Sequence, residues 1–164
     1  MIYRVATTND LKEVIEMKNK VKQRVINENL PIWLNGYPLD EYIEEDILNK
    51  HGRVIVLNNE IIAYAAFYLS TDDYPIGTFK HEPVQSFGRL MVKDEYLGQK
   101  VGSFLVDKMI EEAKTLNVLG LGILVDDINT KAVSLYKKKG FVKEGSNQFP
   151  YAYLDIYALY FNKE

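Results

Sequence analysis

The sequence predicts an α/β (α+β) fold, a mixed sheet of about seven strands flanked by about four helices. Three observations predict this class. The 164 residues match the usual length of one domain, so we expect a single domain over residues 1–164. The apolar fraction of 47% is typical of a chain that buries a core. In the second half, strand-like and helix-like segments alternate, which is typical of a mixed sheet with helices packed on it.

The first third predicts one strand and two helices. The segment IYRVA at residues 2–6 is the opening strand, and the polar residues 7–10 can accept the free N–H groups of a helix start. Apolar residues then recur at helical spacing. They are Leu11, Val14, Ile15, Val21 and Val25. After an interruption with Pro31, Gly36 and Pro38, a second helix is expected around Ile43 and Ile47.

The middle of the chain predicts a hairpin, a loop and a further strand. The segments RVIVL at 53–57 and EIIAYAAFYL at 60–69 flank Asn58-Asn59, and Asn tolerates the positive φ of a two-residue turn. A polar loop is expected at 70–83. The strand VQSFGRLMV at 84–92 follows, and its Gly88 can mark a bulge.

The second half adds two helices and three strands. An apolar stripe predicts a helix over residues 100–116, and LGLGILVDD at 119–127 predicts a buried strand. A helix over 130–139 and a closing pair of strands follow. The predicted order is therefore β-α-α-β-β-β-α-β-α-β-β.

Composition excludes several classes of function. A net charge of −3 argues against a general nucleic-acid partner. The absence of Cys removes disulfides, thiolate metal sites and a cysteine nucleophile, and two His residues make a histidine metal site improbable, so we expect no metal. The N-terminus lacks the pattern of a signal peptide, and the longest apolar stretch, 61–69, is shorter than the ~20 residues that span a bilayer. A cytoplasmic protein without a membrane partner is expected.

Two segments carry candidate chemistry. RLMVKDEYLGQKVGSFLVDKM runs from a strand through a short loop into a helix, and Gly98, Gly102 and Ser103 would let main-chain N–H groups at the helix start bind an anion. An ordinary strand–loop–helix joint is the alternative. In NTKAVSLYKKKGF, Asn129 can cap a helix and Gly140 can end it. Its tyrosine, taken alone, reads most simply as a core residue.

These two segments resemble motifs of the GNAT family of N-acetyltransferases. The family's pyrophosphate loop, Arg/Gln-x-x-Gly-x-Gly/Ala, aligns with LGQKVG at 97–102 and matches at its last position. The pattern Asn-x-x-Ala-x-x-Leu-Tyr-x-Lys-x-Gly-Phe matches residues 129–141 at every specified position. The resemblance covers nearly the whole chain, most securely residues 84–145.

The resemblance implies a mostly antiparallel sheet and transfer of an acetyl group from acetyl-coenzyme A to a primary amine, either a small cationic amine or a peptide amine. The amine would attack directly in a ternary complex, since no Cys can carry the acetyl group. Tyr136 would protonate the leaving thiolate. The strand at 90–92 would pair with the pantetheine arm, and one of its N–H groups would polarise the acetyl carbonyl. The residues implied in cofactor binding are Leu90, Met91, Val92, Leu97, Gly98, Gln99, Lys100, Val101, Gly102, Ser103, Asn129, Ala132, Tyr136 and Lys138.

Two positions depart from the family pattern. Leu97 replaces the usual Arg or Gln and removes one polar contact. Lys100 replaces the usual first Gly, and because Lys takes positive φ less cheaply than Gly, we expect it in an ordinary helical conformation. Its ammonium could help to neutralise phosphate.

The acceptor side is less defined. Glu82 is the first candidate for the general base, with His81, Asp126 or a water chain as alternatives. Trp33 and Tyr37 would wall the acceptor pocket. Five acidic residues could attract a cationic amine, or could form a solvated helix face. They are Asp40, Glu41, Glu44, Glu45 and Asp46. Aromatic residues around the loop at 70–83 would add further walls: Tyr68, Tyr74 and Phe79.

A polyamine, an amino sugar, an amino acid and a peptide amine are all open as acceptors, and the family often forms homodimers. Two other classes of function compete with the enzyme. One is a module of the same fold that binds coenzyme A or an acyl-coenzyme A without turnover. The other is an interaction domain without a cofactor.

Overall fold

The computed structural model describes residues 1–162, so the last two residues of the predicted domain lie outside it. The described part contains seven strands and five α-helices. The strands are β1 Ile2–Val5, β2 Gly52–Leu57, β3 Glu60–Leu69, β4 Gln85–Val92, β5 Gly120–Val125, β6 Val142–Gln148 and β7 Tyr153–Tyr160. The helices are α1 Leu11–Asn27, α2 Asp40–Leu48, α3 Ser70–Asp73, α4 Val101–Lys114 and α5 Thr130–Lys138.

The strands form one mixed sheet in the order β1-β2-β3-β4-β5-β7-β6. The pairs β1·β2, β2·β3, β5·β7 and β6·β7 are antiparallel, and β4·β5 is parallel. This arrangement confirms the predicted fold class and the predicted order of elements. The difference is α3, a single turn of helix at the start of the segment predicted as loop 70–83. No helix within residues 1–162 is long and apolar enough to span a membrane.

The backbone divides into two compact units, so the expectation of a single domain stays a prediction. The first unit comprises Met1–Phe67 and Arg89–Lys108, and the second comprises Tyr68–Gly88 and the chain from Met109 onward. Residues 97–103 and 90–92 belong to the first unit. Residues 129–141 belong to the second.

In the first unit, α1 and α2 pack on the strands through a buried apolar cluster that includes Val14, Met17, Ile43, Tyr64 and Met91. At the start of the helical segment, Asp10 accepts a hydrogen bond from the Thr7 N–H at 2.7 Å, whereas, contrary to the expectation, no side chain in the described part of the chain caps the N–H groups of α1 itself. The hairpin prediction is confirmed. Asn58 and Asn59 form its two-residue turn, with φ of 51° and 62°.

In the second unit, glycines let β5 approach its neighbours closely. A Cβ at Gly120 would lie 2.2 Å from the main-chain oxygen of Leu159 on β7, a distance that no side chain permits. A Cβ at Gly122 would lie 2.4 Å from the ring of Phe79. Phe79 is therefore a core residue, packed with Val84 and Phe149, and the expectation that it lines an acceptor pocket is wrong.

Candidate active site

The loop that leads into α4 contains two left-handed residues, Gly98 and Lys100, just before the helix. A 3₁₀ turn at Asp94–Tyr96 precedes it, Gly98 has φ of 75°, and α4 begins at Val101. The first hydrogen bond of the helix runs from the Phe104 N–H to the Lys100 carbonyl at 3.0 Å. The N–H groups of residues 101–103 thus lie in the first turn, where a helix supplies no acceptor of its own. These donors lie at the positive end of the helix dipole, which favours an anion.

Lys100 is left-handed, with φ of 63°, so the expectation of an ordinary helical conformation is wrong. The reason is the entry of the chain into the helix. The turn that aims the first N–H groups of α4 needs a positive φ at this position, where the family pattern usually has Gly. Lys carries the same conformation at a steric cost of about 1–2 kcal/mol.

A substitution pair measures that cost. We expect Lys100→Gly to raise the free energy of unfolding by about 1 kcal/mol, because Gly adopts positive φ without a Cβ clash. Lys100→Val should lower it by a similar amount, since β-branched residues tolerate this region least. Urea denaturation with unchanged m-values is the measurement. Equal midpoints for the two variants would contradict a left-handed residue 100.

Two of the three side chains in the strand segment at 90–92 are buried. Met91 is buried in the core of its unit, and Val92 is also buried. Immediately before this segment, Arg89 has φ of 50° within β4. The irregularity predicted at Gly88 therefore lies one residue further along the chain.

Arg89 takes part in a network for which the sequence carries no local signal. Its Nε donates to Asp46 Oδ2 at 2.9 Å and its Nη2 donates to Asp46 Oδ1 at 2.6 Å, which makes a two-pronged ion pair. Asp46 Oδ2 also accepts a hydrogen bond from the Tyr64 hydroxyl at 2.7 Å. Burial and the neighbouring Asp46 charge raise the pKa of Tyr64 above its ordinary value. No local signal in the sequence links Asp46 with Arg89, because 43 residues separate them.

The residues predicted to wall the acceptor pocket make contacts within the first unit. Trp33 packs on the apolar core, and the Tyr37 hydroxyl accepts a hydrogen bond from Arg89 Nη1 at 3.2 Å. The expectation of five acidic residues facing an amine is wrong for two of them. Asp46 is paired with Arg89, and Asp40 is paired with the buried Lys18. The side chains of the remaining three are exposed: Glu41, Glu44 and Glu45.

In the second unit, α5 is capped at both ends as predicted. The Asn129 side chain accepts a hydrogen bond from the Ala132 N–H at 3.4 Å. At the other end, the Phe141 N–H donates to the Tyr136 carbonyl at 3.0 Å, and the Gly140 N–H donates to the Lys137 carbonyl at 3.1 Å. With Gly140 at φ of 97°, this is a Schellman motif.

The Schellman motif also fixes Tyr136. Its ring lies 5.9 Å from the Phe141 ring, which is the apolar contact that accompanies this motif, and 5.4 Å from the Phe87 ring. Only 4% of Tyr136 is exposed. Burial raises the pKa of its phenol above the ordinary value. On the same helix, Ala132 is half-buried and Lys138 is exposed.

The candidate bases differ in how their polar atoms are used. Glu82 Oε1 accepts a hydrogen bond from the Gly77 N–H at 2.6 Å, while Glu82 Oε2 is buried without a partner in the described structure. Asp126 Oδ1 accepts from the Ile128 N–H at 3.1 Å. The His81 ring packs edge-on against Tyr160, with 5.0 Å between the ring centroids. In the same unit, the hydroxyls of Tyr68 and Tyr74 lie 2.6 Å apart. Within residues 1–162, no three His, Asp or Glu side chains cluster as metal ligands would.

Comparison with known proteins identifies the family. The model of the acetyltransferase (GNAT) family matches residues 22–141. An uncharacterized N-acetyltransferase of Dictyostelium discoideum is 38% identical over 55 residues, which are 34% of this chain and 26% of that protein. The matched segment therefore spans about a quarter of that relative.

Solved structures share the fold at low identity. A GNAT-family acetyltransferase from Streptococcus agalactiae superposes with a TM-score of 0.83 at 18% identity, covering 99% of this chain and 96% of that one. The PaiA N-acetyltransferase from Thermoplasma acidophilum, solved with coenzyme A, gives a TM-score of 0.73 at 18% identity and covers 98% of each chain.

The family model spans most of the chain, and its last matched residue closes the segment that carries Asn129, Tyr136 and Gly140. Proteins of this family use acetyl-coenzyme A as the acyl donor, as the sequence analysis expected. The chain belongs to the acetyltransferase (GNAT) family.

Proposed function

We propose that this protein is an N-acetyltransferase that moves an acetyl group from acetyl-coenzyme A to a primary amine. The observation that carries the proposal is the loop at 97–103, where Gly98 and Lys100 are left-handed and direct the chain into α4. A loop of this shape presents several main-chain N–H groups to a diphosphate without the help of a side chain. The PaiA relative with the same fold was solved with coenzyme A.

The residues of this loop fit the phosphates of the cosubstrate. The space beside Gly98 is open, because a Cβ there would meet nothing within 4 Å. Leu97 is about half exposed and offers no polar group, so the N–H groups of residues 101–103 would do most of the binding. Lys138 would add a positive charge toward a phosphate. Acetyl-coenzyme A supplies the activated thioester, and residues 90–92 would hold its pantetheine arm with their main chain.

The proposed transfer forms a C–N bond to the amine and breaks the C–S bond of the thioester. A main-chain N–H of residues 90–92 would stabilise the negative charge that develops on the acetyl oxygen. Tyr136 would give its proton to the departing sulfur. The phenol carries a proton to give, and its ring contacts with Phe87 and Phe141 restrict its position.

Glu82 is proposed as the base that accepts the amine proton. One of its oxygens is anchored by the Gly77 N–H, while the other is buried and has no partner in the described structure. A buried carboxylate oxygen without a donor is costly, so a polar group of the substrate or a water would be favoured there.

We expect Glu82→Gln to lower kcat at least about tenfold, because general-base catalysis contributes roughly 10²-fold or more. Gln keeps the anchoring hydrogen bond from Gly77 but cannot take a proton. Glu144→Gln is the matched control, since the Glu144 carboxylate already accepts from Tyr160 and the Lys80 N–H. Equal kcat values for Glu82→Gln and the wild type would show that Glu82 is not the general base.

A thiol-release assay with acetyl-coenzyme A and a panel of amines tests the function. The panel contains a polyamine, an amino sugar, free amino acids and peptides with a free N-terminus. Calorimetry with acetyl-coenzyme A accompanies it. Binding together with amine-dependent thiol release supports the enzyme. Binding without release on any amine supports a module that holds coenzyme A, and the absence of binding refutes both.

A further inference from the structure

We propose that Arg89 is a positioning residue, whose ion pair with Asp46 holds β4 in a left-handed turn and thereby aims the main-chain donors of residues 90–92. The inference rests on the proposed function, in which these donors meet the pantetheine arm and the acetyl oxygen. It adds a role for α2, which carries Asp46.

The backbone at Arg89 needs such a support. Its φ of 50° lies inside an eight-residue strand, where extended backbone is the rule. The left-handed region is sparsely populated by residues with a Cβ, and such residues persist where their surroundings determine them. A change of φ here rotates every peptide plane that follows, so the directions of the N–H groups at 90–92 depend on it.

The support is a largely buried ion pair in which the guanidinium and the carboxylate meet through two hydrogen bonds. The guanidinium meets both carboxylate oxygens, at 2.9 and 2.6 Å, and only 15% and 7% of the Arg89 and Asp46 side chains are exposed. The planar fork of Arg fits a carboxylate in one geometry. The Tyr64 hydroxyl donates a third hydrogen bond to the carboxylate, and the Tyr37 hydroxyl accepts one from Arg89 Nη1 at 3.2 Å. The side chain of residue 89 is thus anchored to α2 and to the segment before it, and Tyr64 on β3 holds the Asp46 carboxylate in turn.

This role is distinguishable from binding of the acceptor by the Arg89 side chain. If Arg89 only holds the backbone, a residue that accepts positive φ by itself should replace it. Gly adopts positive φ readily. Ala, which is closest to Gly in size, does not. A role of the guanidinium on the substrate would be lost equally with Gly and with Ala.

The test compares Asp46→Asn/Arg89→Gly with Asp46→Asn/Arg89→Ala in the thiol-release assay. Both variants lack the ion pair, leave no unpaired charge and differ by one methyl group. We expect kcat of the Ala variant to lie at least about tenfold below that of the Gly variant, since small misplacements of reacting groups cost about 10²-fold. The affinity for desulfo-coenzyme A, measured by calorimetry, should change by a smaller factor than kcat.

Equal losses in the two variants, or equal retention, would overturn the proposal. If the Ala variant does not fold, Arg89→Asn and Arg89→Gln in the same background replace the pair, because Asn tolerates the left-handed region and Gln does not. Amide hydrogen exchange of residues 85–93 gives a readout without turnover, and faster exchange is expected for Ala or Gln than for Gly or Asn. A wild-type protein that releases no thiol refutes the proposed function, while this exchange pattern still decides the role of Arg89.

Discussion

Replacing Tyr136 by Phe is expected to lower kcat at least about 100-fold and to leave the affinity for acetyl-coenzyme A unchanged, because general-acid catalysis contributes 10²–10⁴-fold. The substitution removes only the hydroxyl. The ring contacts with Phe87 and Phe141, and the main-chain bond from Phe141 to residue 136, stay in place. Steady-state kinetics and calorimetry with acetyl-coenzyme A measure the two quantities.

Tyr157→Phe is the matched control, because Tyr157 is another buried tyrosine of the same unit. We expect its kcat to stay close to that of the wild type. If Tyr136→Phe turns over at the wild-type rate, the leaving thiolate receives its proton from elsewhere. If the affinity of Tyr136→Phe for acetyl-coenzyme A falls by as large a factor as its kcat, the hydroxyl acts in binding instead.

The pH dependence of kcat gives an independent signature. Burial raises the pKa of Tyr136 above its ordinary value of 10.0. A proton donor works in its protonated form, which dominates below its pKa, so raising the pKa extends the active range upward. The alkaline limb of the kcat profile should therefore show no loss from this group up to about pH 10. A decline that begins near pH 8 and disappears in Tyr136→Phe would contradict this assignment.

The geometry around Tyr136 could be predicted because its signals are local. Asn129 caps the start of α5, which begins at Thr130. Gly140, two positions after the last helical residue, provides the left-handed residue that terminates the helix. Each signal acts through hydrogen bonds that span only a few residues, so the sequence window contains both partners. The two-residue turn at Asn58 and Asn59 could be predicted for the same reason.

The left-handed backbone at Lys100 and Arg89 could not be predicted, because nothing in either residue type favours it. Lys and Arg have no intrinsic bias toward positive φ. At Arg89 the cost of the left-handed backbone is offset by the ion pair with Asp46, which lies 43 positions away in the sequence. No sequence pattern near either residue indicates that the two are paired. Such local conflicts with the fold occur most often where a functional site needs an unusual backbone. The left-handed residues of the first unit include one just before residues 90–92 and another just before α4.

Gly102→Glu should abolish tight binding of coenzyme A while the fold is kept. Residue 102 lies in the first turn of α4, where a carboxylate is favourable to the helix dipole, so the free energy of unfolding should hold or rise slightly. The same carboxylate would lie where the diphosphate is proposed to bind. Two like charges about 4 Å apart near a protein surface repel by roughly 4 kcal/mol, so Kd should rise at least about 100-fold.

Gly102→Ala separates the charge from the size of the new side chain. The family pattern accepts either Gly or Ala at this position, so we expect Ala to keep Kd within about threefold. The loss in Gly102→Glu should also shrink in high salt, because screening weakens the repulsion between partly exposed charges. Unchanged affinity of the Glu variant would place the diphosphate away from α4. An equal loss with Ala would show that the close approach of the main chain, and not charge, governs binding at this turn.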